Sequence, residues 1–191
     1  MSTLPLSLPP KAESVTVQGA PDGFVPPLAW QAQVIPGGYT RLVVSAPGDQ
    51  MAALHQRLVG RLQAPLRVLY RQVTDRATGQ LPKARDWVGV EITVPRLLAA
   101  LQTYAPLVYH DGRHQLWIKG QGSEQIVLEE IGVLYVYPDD PSFRDALTEA
   151  GVPERAVQTL AERDYIKVNF LAEADAAEGA FQQALAMARW A

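Results

Sequence analysis

QIVLEEIGVLYVYPDDPSFRDAL, residues 125–147, is the stretch on which the fold class turns. Residues 125–129 and 133–137 are β-branched and aromatic runs on either side of Gly132, and so short a gap joins antiparallel neighbours. Residues 133–137 are apolar on both alternating faces, so the strand they form needs cover on both sides and belongs mid-sheet. A helix follows directly. Asp140 is placed to accept from free amides of the first turn, Pro141 needs no N–H there, Phe143, Ala146 and Leu147 face inward, and Gly151 closes the last turn.

Upstream, residues 107–110 and 114–119 flank Asp111-Gly112, an expected two-residue hairpin turn, and Gly120-Gln121-Gly122-Ser123 leads into residue 125. The four runs together predict a meander. Further back, residues 30–35 and 39–45 flank Pro36-Gly37-Gly38, a second hairpin signal. From Asp49 the apolar residues Met51, Leu54, Leu58 and Leu62 recur at helical spacing, with Arg57 and Arg61 four apart on another face. Residues 66–74 and 88–94 predict strands joined by the polar loop TDRATGQLPKARD. Pro95 suits the first turn of a helix whose apolar residues are Leu97, Leu98, Leu101 and Tyr104.

Downstream, the pattern predicts a short helix from Pro153, a strand over residues 165–171 and an alanine-rich helix over residues 173–189. Strands in antiparallel runs interrupted by helices give an α+β fold with a mixed, mainly antiparallel sheet of about eight or nine strands and four to five helices. Residues 1–28, with Pro5, Pro9, Pro10, Pro21, Pro26 and Pro27, cannot supply helix interiors or central strands, because proline lacks the amide hydrogen and fixes φ. The expected organisation is a Pro-rich arm, residues 1–28, before a single domain, residues 29–191.

The 191 residues are 48% hydrophobic and 19% charged, ordinary values for a chain that buries a core. With no cysteine, disulfides, thiolate nucleophiles and cysteine zinc sites are excluded. The start MSTLPLSLPPKAES lacks a basic segment followed by an unbroken apolar one, and no apolar run reaches membrane-spanning length, so a soluble cytoplasmic protein with no membrane partner is expected. Residues 1–100 carry ten Lys/Arg against six Asp/Glu, and residues 101–191 carry seven against fourteen, a split of +4 and −7 within a net charge of −3.

With three histidines and no cysteine, the chain offers few candidates for catalysis. His110 and His114 have the spacing of a helical zinc pair, but a turn at Asp111-Gly112 puts alternate strand residues on opposite faces, so no shared metal is expected. His55 lies beside the apolar stripe of its helix, as a boundary residue would. Asp139 sits at the carboxyl end of the expected central strand, where a cleft can form, and also near a helix terminus that it can stabilise through the dipole. His110, His114 and Asp139 are therefore the residues named for a cleft. No phosphate-binding loop or nucleophile elbow occurs, and no cofactor is expected.

The basic stretch over residues 57–96 holds Arg57, Arg61, Arg67 and Arg71, the last two on one strand face, with Tyr70 and Trp87 near in sequence. Arg57, Arg61, Arg67, Arg71 and Trp87 are the expected partner-binding residues. The acidic pI of 5.6 argues against nucleic acid as the partner. Residues 125–140, followed by Phe143 and Leu147, resemble the strand–turn–strand–helix segment of some bacterial toxin-immunity proteins. The leading expectation is a non-enzymatic protein, regulatory or of toxin-immunity type, that binds a protein partner. The alternatives are a small enzyme with a cleft outside known motifs, and a nucleic-acid binder using residues 57–96. The arm's Leu4, Leu6, Leu8, Phe24, Val25 and Leu28 are expected to gain from lying on an apolar surface, of the partner, of a second copy or of the domain itself.

Overall fold

The structure is a computed structural model that describes residues 8–75, 78–79, 81–168 and 172–190. The elements run β1 (Ala12–Ser14), β2 (Ala29–Val34), β3 (Thr40–Ser45), α1 (Gly48–Val59), β4 (Leu66–Gln72), β5 (Arg85–Ile92), α2 (Val94–Thr103) and α3 (Ala105–His110). They continue with β6 (His114–Lys119), β7 (Gln125–Leu128), β8 (Leu134–Tyr137), α4 (Pro141–Glu149), β9 (Tyr165–Lys167), α5 (Ala172–Ala184) and β10 (Ala188–Trp190). Eight strands form one sheet in the order β10-β5-β4-β6-β7-β8-β3-β2, antiparallel throughout, and β1 pairs with β9 in a separate two-stranded sheet. This is a mixed α+β fold.

Local chemistry explains the clearest elements. Gly37 and Gly38 take φ of 95° and 80° between β2 and β3, a turn that side chains with a Cβ resist. Thr93 caps α2 by accepting from the Arg96 amide, and Asp140 caps α4 by accepting from the Ser142 amide at 2.8 Å. Strand alternation then sorts the large sheet. Leu42, Val68, Leu116, Ile126, Leu134 and Val136 turn one way into the main core, against Leu58 of α1, Leu101 of α2 and Phe181 of α5. β8 lies between β7 and β3, inside the sheet as its sequence requires.

The opposite face is covered in part. Ala12, Ile131, Val133, Val157 and Leu160 form a second cluster with Ala29 and Val43, with Phe24 and Tyr135 packed on it. The described part of the proline-rich segment thus joins the folded body. Lys11 is 1% exposed, Val168 donates to the Lys11 carbonyl, and Leu28 packs on the main core, while Leu8 and Val25 stay exposed. Leu4 and Leu6 lie outside the described residues.

Four expectations are corrected. Residues 107–110 are the end of helix α3, not a strand, so Asp111-Gly112 joins a helix to β6 and makes no hairpin between His110 and Arg113. A six-residue helix is too short to show a 3.6 period, and Leu107-Val108-Tyr109 reads as β from propensity alone. No helix starts at Pro153. Glu154 bridges Trp30 instead, and the next helical turn along the chain is a 3-10 turn at Leu160–Glu162. The last helix ends at Ala184, with Ala186 at φ 50°, and Ala188–Trp190 turns back as an edge strand on β5. The strand expected over residues 88–94 is β5, shifted toward the N-terminus, so that Trp87 lies within it.

Candidate functional site

Two regions gather polar side chains. The first is a buried seam where the N-terminal segment meets α3 and the start of β6. Lys11 enters the core there, its Nζ donating to the Val108 carbonyl at 3.0 Å and lying 3.4 Å from His114 Nε2. Burial holds this amine down, at about 7 against an ordinary 10.5, although Asp111 and Glu130 pull it back up. His114 stacks on Tyr70, with centroids 4.5 Å apart, and Tyr70 donates to Glu178 at 2.7 Å. His55 is fully buried and meets the Tyr109 hydroxyl at 3.0 Å. Burial, with Lys11 nearby, lowers His55 to about 3, and burial lowers His114 well below the ordinary range. Both rings are neutral at pH 7.

Arg113 completes the seam. Its Nε donates to Asp111 and its Nη1 to Asp175, each at 3.0 Å, while Nη2 is buried without a partner among the described residues, as are Asp111 Oδ2, His114 Nδ1 and His55 Nε2. His110 stands apart from His114, its Nδ1 2.7 Å from the Pro9 carbonyl. Among the described residues no group of three or more His, Asp or Glu is placed to hold a metal ion. Asp139 holds Arg144 through two bonds of 2.6 and 2.7 Å, and Arg144 lies over the Trp30 ring. These pairs tie α4 to the sheet.

The second region is the outward face of β4, β6, β7 and β8. Register aligns Val88, Leu69, Trp117, Val127 and Tyr135 in one row across five strands. A parallel row runs Arg67, Lys119, Gln125 and Tyr137, continued by Arg41, which donates to the Tyr137 hydroxyl at 2.7 Å. Leu69, Val88 and Trp117 keep part of their surface in solvent. Arg41 lies 3.7 Å above the Tyr135 ring, and Arg71, bonded twice to Asp86 at 2.9 Å, lies 5.4 Å from the Trp117 centroid. Glu129, at the rim, is raised to about 7 by burial and by Glu130.

The five expected partner-binding residues separate into three places. Arg67 and Arg71 share the outward face. Trp87 points to the helix side, edge-on to Tyr70 at 6.0 Å. Arg57 of α1 and Arg61, just past its end, bridge to Glu149 of α4. Arg41, Trp117, Lys119 and Tyr135 were not named from the sequence, although the alternation in Gln115-Leu116-Trp117-Ile118-Lys119 carries the signal that groups Trp117 with Lys119. No helix among the described residues is long and apolar enough to cross a membrane. No family model matches the chain, and no curated protein or solved structure matches it.

Proposed function

We propose that this is a non-enzymatic binding protein that holds an acidic segment of a partner protein on the outward face of β4, β6, β7 and β8. The observation that carries the reading is Arg67 opposite Lys119. Two cations face each other in register, and neither has a salt bridge among the described residues. Like charges so placed repel, and an incoming carboxylate relieves that repulsion. With Arg41 and Arg71 they frame a tryptophan and two tyrosines, the residue types that anchor protein interfaces. The chain as a whole is acidic, at −3, whereas this face gathers four cations, of which Arg71 is paired with Asp86.

A single-stranded nucleic acid fits the same face less well. Base stacking needs free ring faces. Here Arg41 covers Tyr135, and Arg71, fixed by Asp86, lies over Trp117. The test is site-specific photo-crosslinking in extract of the native host, with the crosslinker at position 119 and, as control, at exposed Glu162. A discrete protein adduct at position 119 alone is expected. The same adducts at both positions, or nucleic acid alone at position 119, would reject the reading.

A further inference from the structure

Where the proline-rich segment packs on the start of α1, the two border a cavity of about 300 Å³. Leu8, Pro10, Phe24, Val25, Met51 and Ile131 make its lining mostly apolar, and Glu13 and Asp49 belong to that lining too. We propose that this cavity binds a small alkyl or aryl amine, its apolar body inside and its protonated nitrogen at the two carboxylates.

The walls hold the cavity open. Proline fixes φ, so Pro9-Pro10 and Pro26-Pro27 resist bending inward to fill the space. Both stretches are also pinned, since His110 Nδ1 donates to the Pro9 carbonyl at 2.7 Å and Ser45 Oγ donates to the Pro27 carbonyl at 2.5 Å. Gly48 lets the first stretch sit directly on α1, because a Cβ there would come within 3.3 Å of the Pro10 Cβ. A ligand thus meets a site formed in advance, which loses little freedom on binding. Leu8 and Val25 line this site yet keep 40% and 62% of their surface in solvent, so an apolar occupant gains by covering them.

Charge selects the head group. Neither Glu13 nor Asp49 has a salt bridge among the described residues. Lys11 is the one basic residue of the lining, and its amine is spent in the core, on the Val108 carbonyl and beside His114. Even a charged Lys11 together with the α1 N-terminus, worth about +0.5, falls short of two carboxylates. A carboxylate or phosphate would add to this negative surplus and a hydroxyl would gain nothing from it, whereas a protonated amine offsets it.

The experiment is an NMR titration of the full chain, labelled at its methionine methyls, with octylamine, octanol and octanoate at pH 7. The Met51 methyl reports on the cavity, and Met187, which packs on the main core outside this lining, is the control. Met51 should shift saturably with octylamine while Met187 does not. Octanol and octanoate should bind at least about tenfold more weakly, roughly what two exposed ion pairs supply. In Glu13→Gln/Asp49→Asn the affinity for octylamine should fall at least about tenfold and that for octanol should not change. Glu13 is half-buried and Asp49 exposed, so the amides should be tolerated. Should the double variant fail to fold, Asp49→Asn alone is expected to lose at least about threefold. No saturable shift at Met51 from octylamine, an equal shift at Met187, closer affinities among the three probes than stated, or a smaller loss in the folded variant would each overturn the proposal.

Discussion

Lys11→Met keeps an unbranched apolar stem of similar length and removes the buried amine. Folding lowers that amine from 10.5 to about 7. The sign follows from proton counting. Between those values the unfolded chain holds a proton that the folded chain has released, so stability due to Lys11 is smallest at pH 7 and below and grows as pH rises. At about 1.4 kcal/mol per pH unit, the cost of burying Lys11 at pH 7 is about 4 kcal/mol. Removing the amine also strands the Val108 carbonyl, at about 1–2 kcal/mol. The variant should therefore be more stable than the wild type by about 2–3 kcal/mol at pH 7. The advantage should shrink by about 1.4 kcal/mol per pH unit and vanish at about pH 9–10. Urea denaturation of both proteins at pH 7, 8, 9 and 10 measures this, and the raised hydroxyls of Tyr70 and Tyr109 cancel in the difference. A difference that stays constant over this range would refute the reasoning, because the amine would then keep its charge in the fold, held by Asp111 and Glu130.

Acid acts on the same seam. Below pH 6.5 the unfolded chain protonates His55 and His114 while the folded chain does not, whereas Glu129, raised to about 7, takes up its proton in the fold first. From pH 6 to 4.5 the wild type should lose about 1.4 kcal/mol of stability per pH unit, and Glu129→Gln about twice that, in urea titrations. Equal slopes would contradict the assignment of Glu129. Asp140→Ala should cost about 1 kcal/mol, read as a lower midpoint in urea, because α4 loses its capping acceptor. Phe181→Ala should cost about 3–5 kcal/mol, since the ring is fully buried against Tyr70 and Tyr104.

What could be read from the sequence was what local chemistry fixes. Pro36-Gly37-Gly38 and Asp140-Pro141 constrain their own backbone, so the β2–β3 hairpin and α4 were legible, as was the interior position of β8. Leu107–His110 was not, because α3 is held as a helix by packing on α1 and α5 rather than by propensity. Ala188–Trp190 likewise follows from pairing with β5 across a long sequence separation. Arg67 and Arg71 were placed on one strand face correctly. Their neighbours Lys119, Trp117 and Arg41 come from β6 and β3, and only the strand order brings them alongside. Lys11 gives no local sign at all. It lies in a proline-rich stretch that reads as solvated, and its burial depends on residues about a hundred positions away.

The most direct test of the proposed face is the affinity of the captured partner, purified, for the wild type and for the charge-reversed double variant Arg67→Glu/Lys119→Glu, measured over a range of salt. Both side chains are exposed, so the variant should fold and melt like the wild type. Affinity is predicted to fall at least about a hundredfold at low salt, with the gap closing as salt screens the charges. Undiminished affinity in the folded variant, with the same salt dependence as the wild type, would contradict the claim that this face holds an acidic partner.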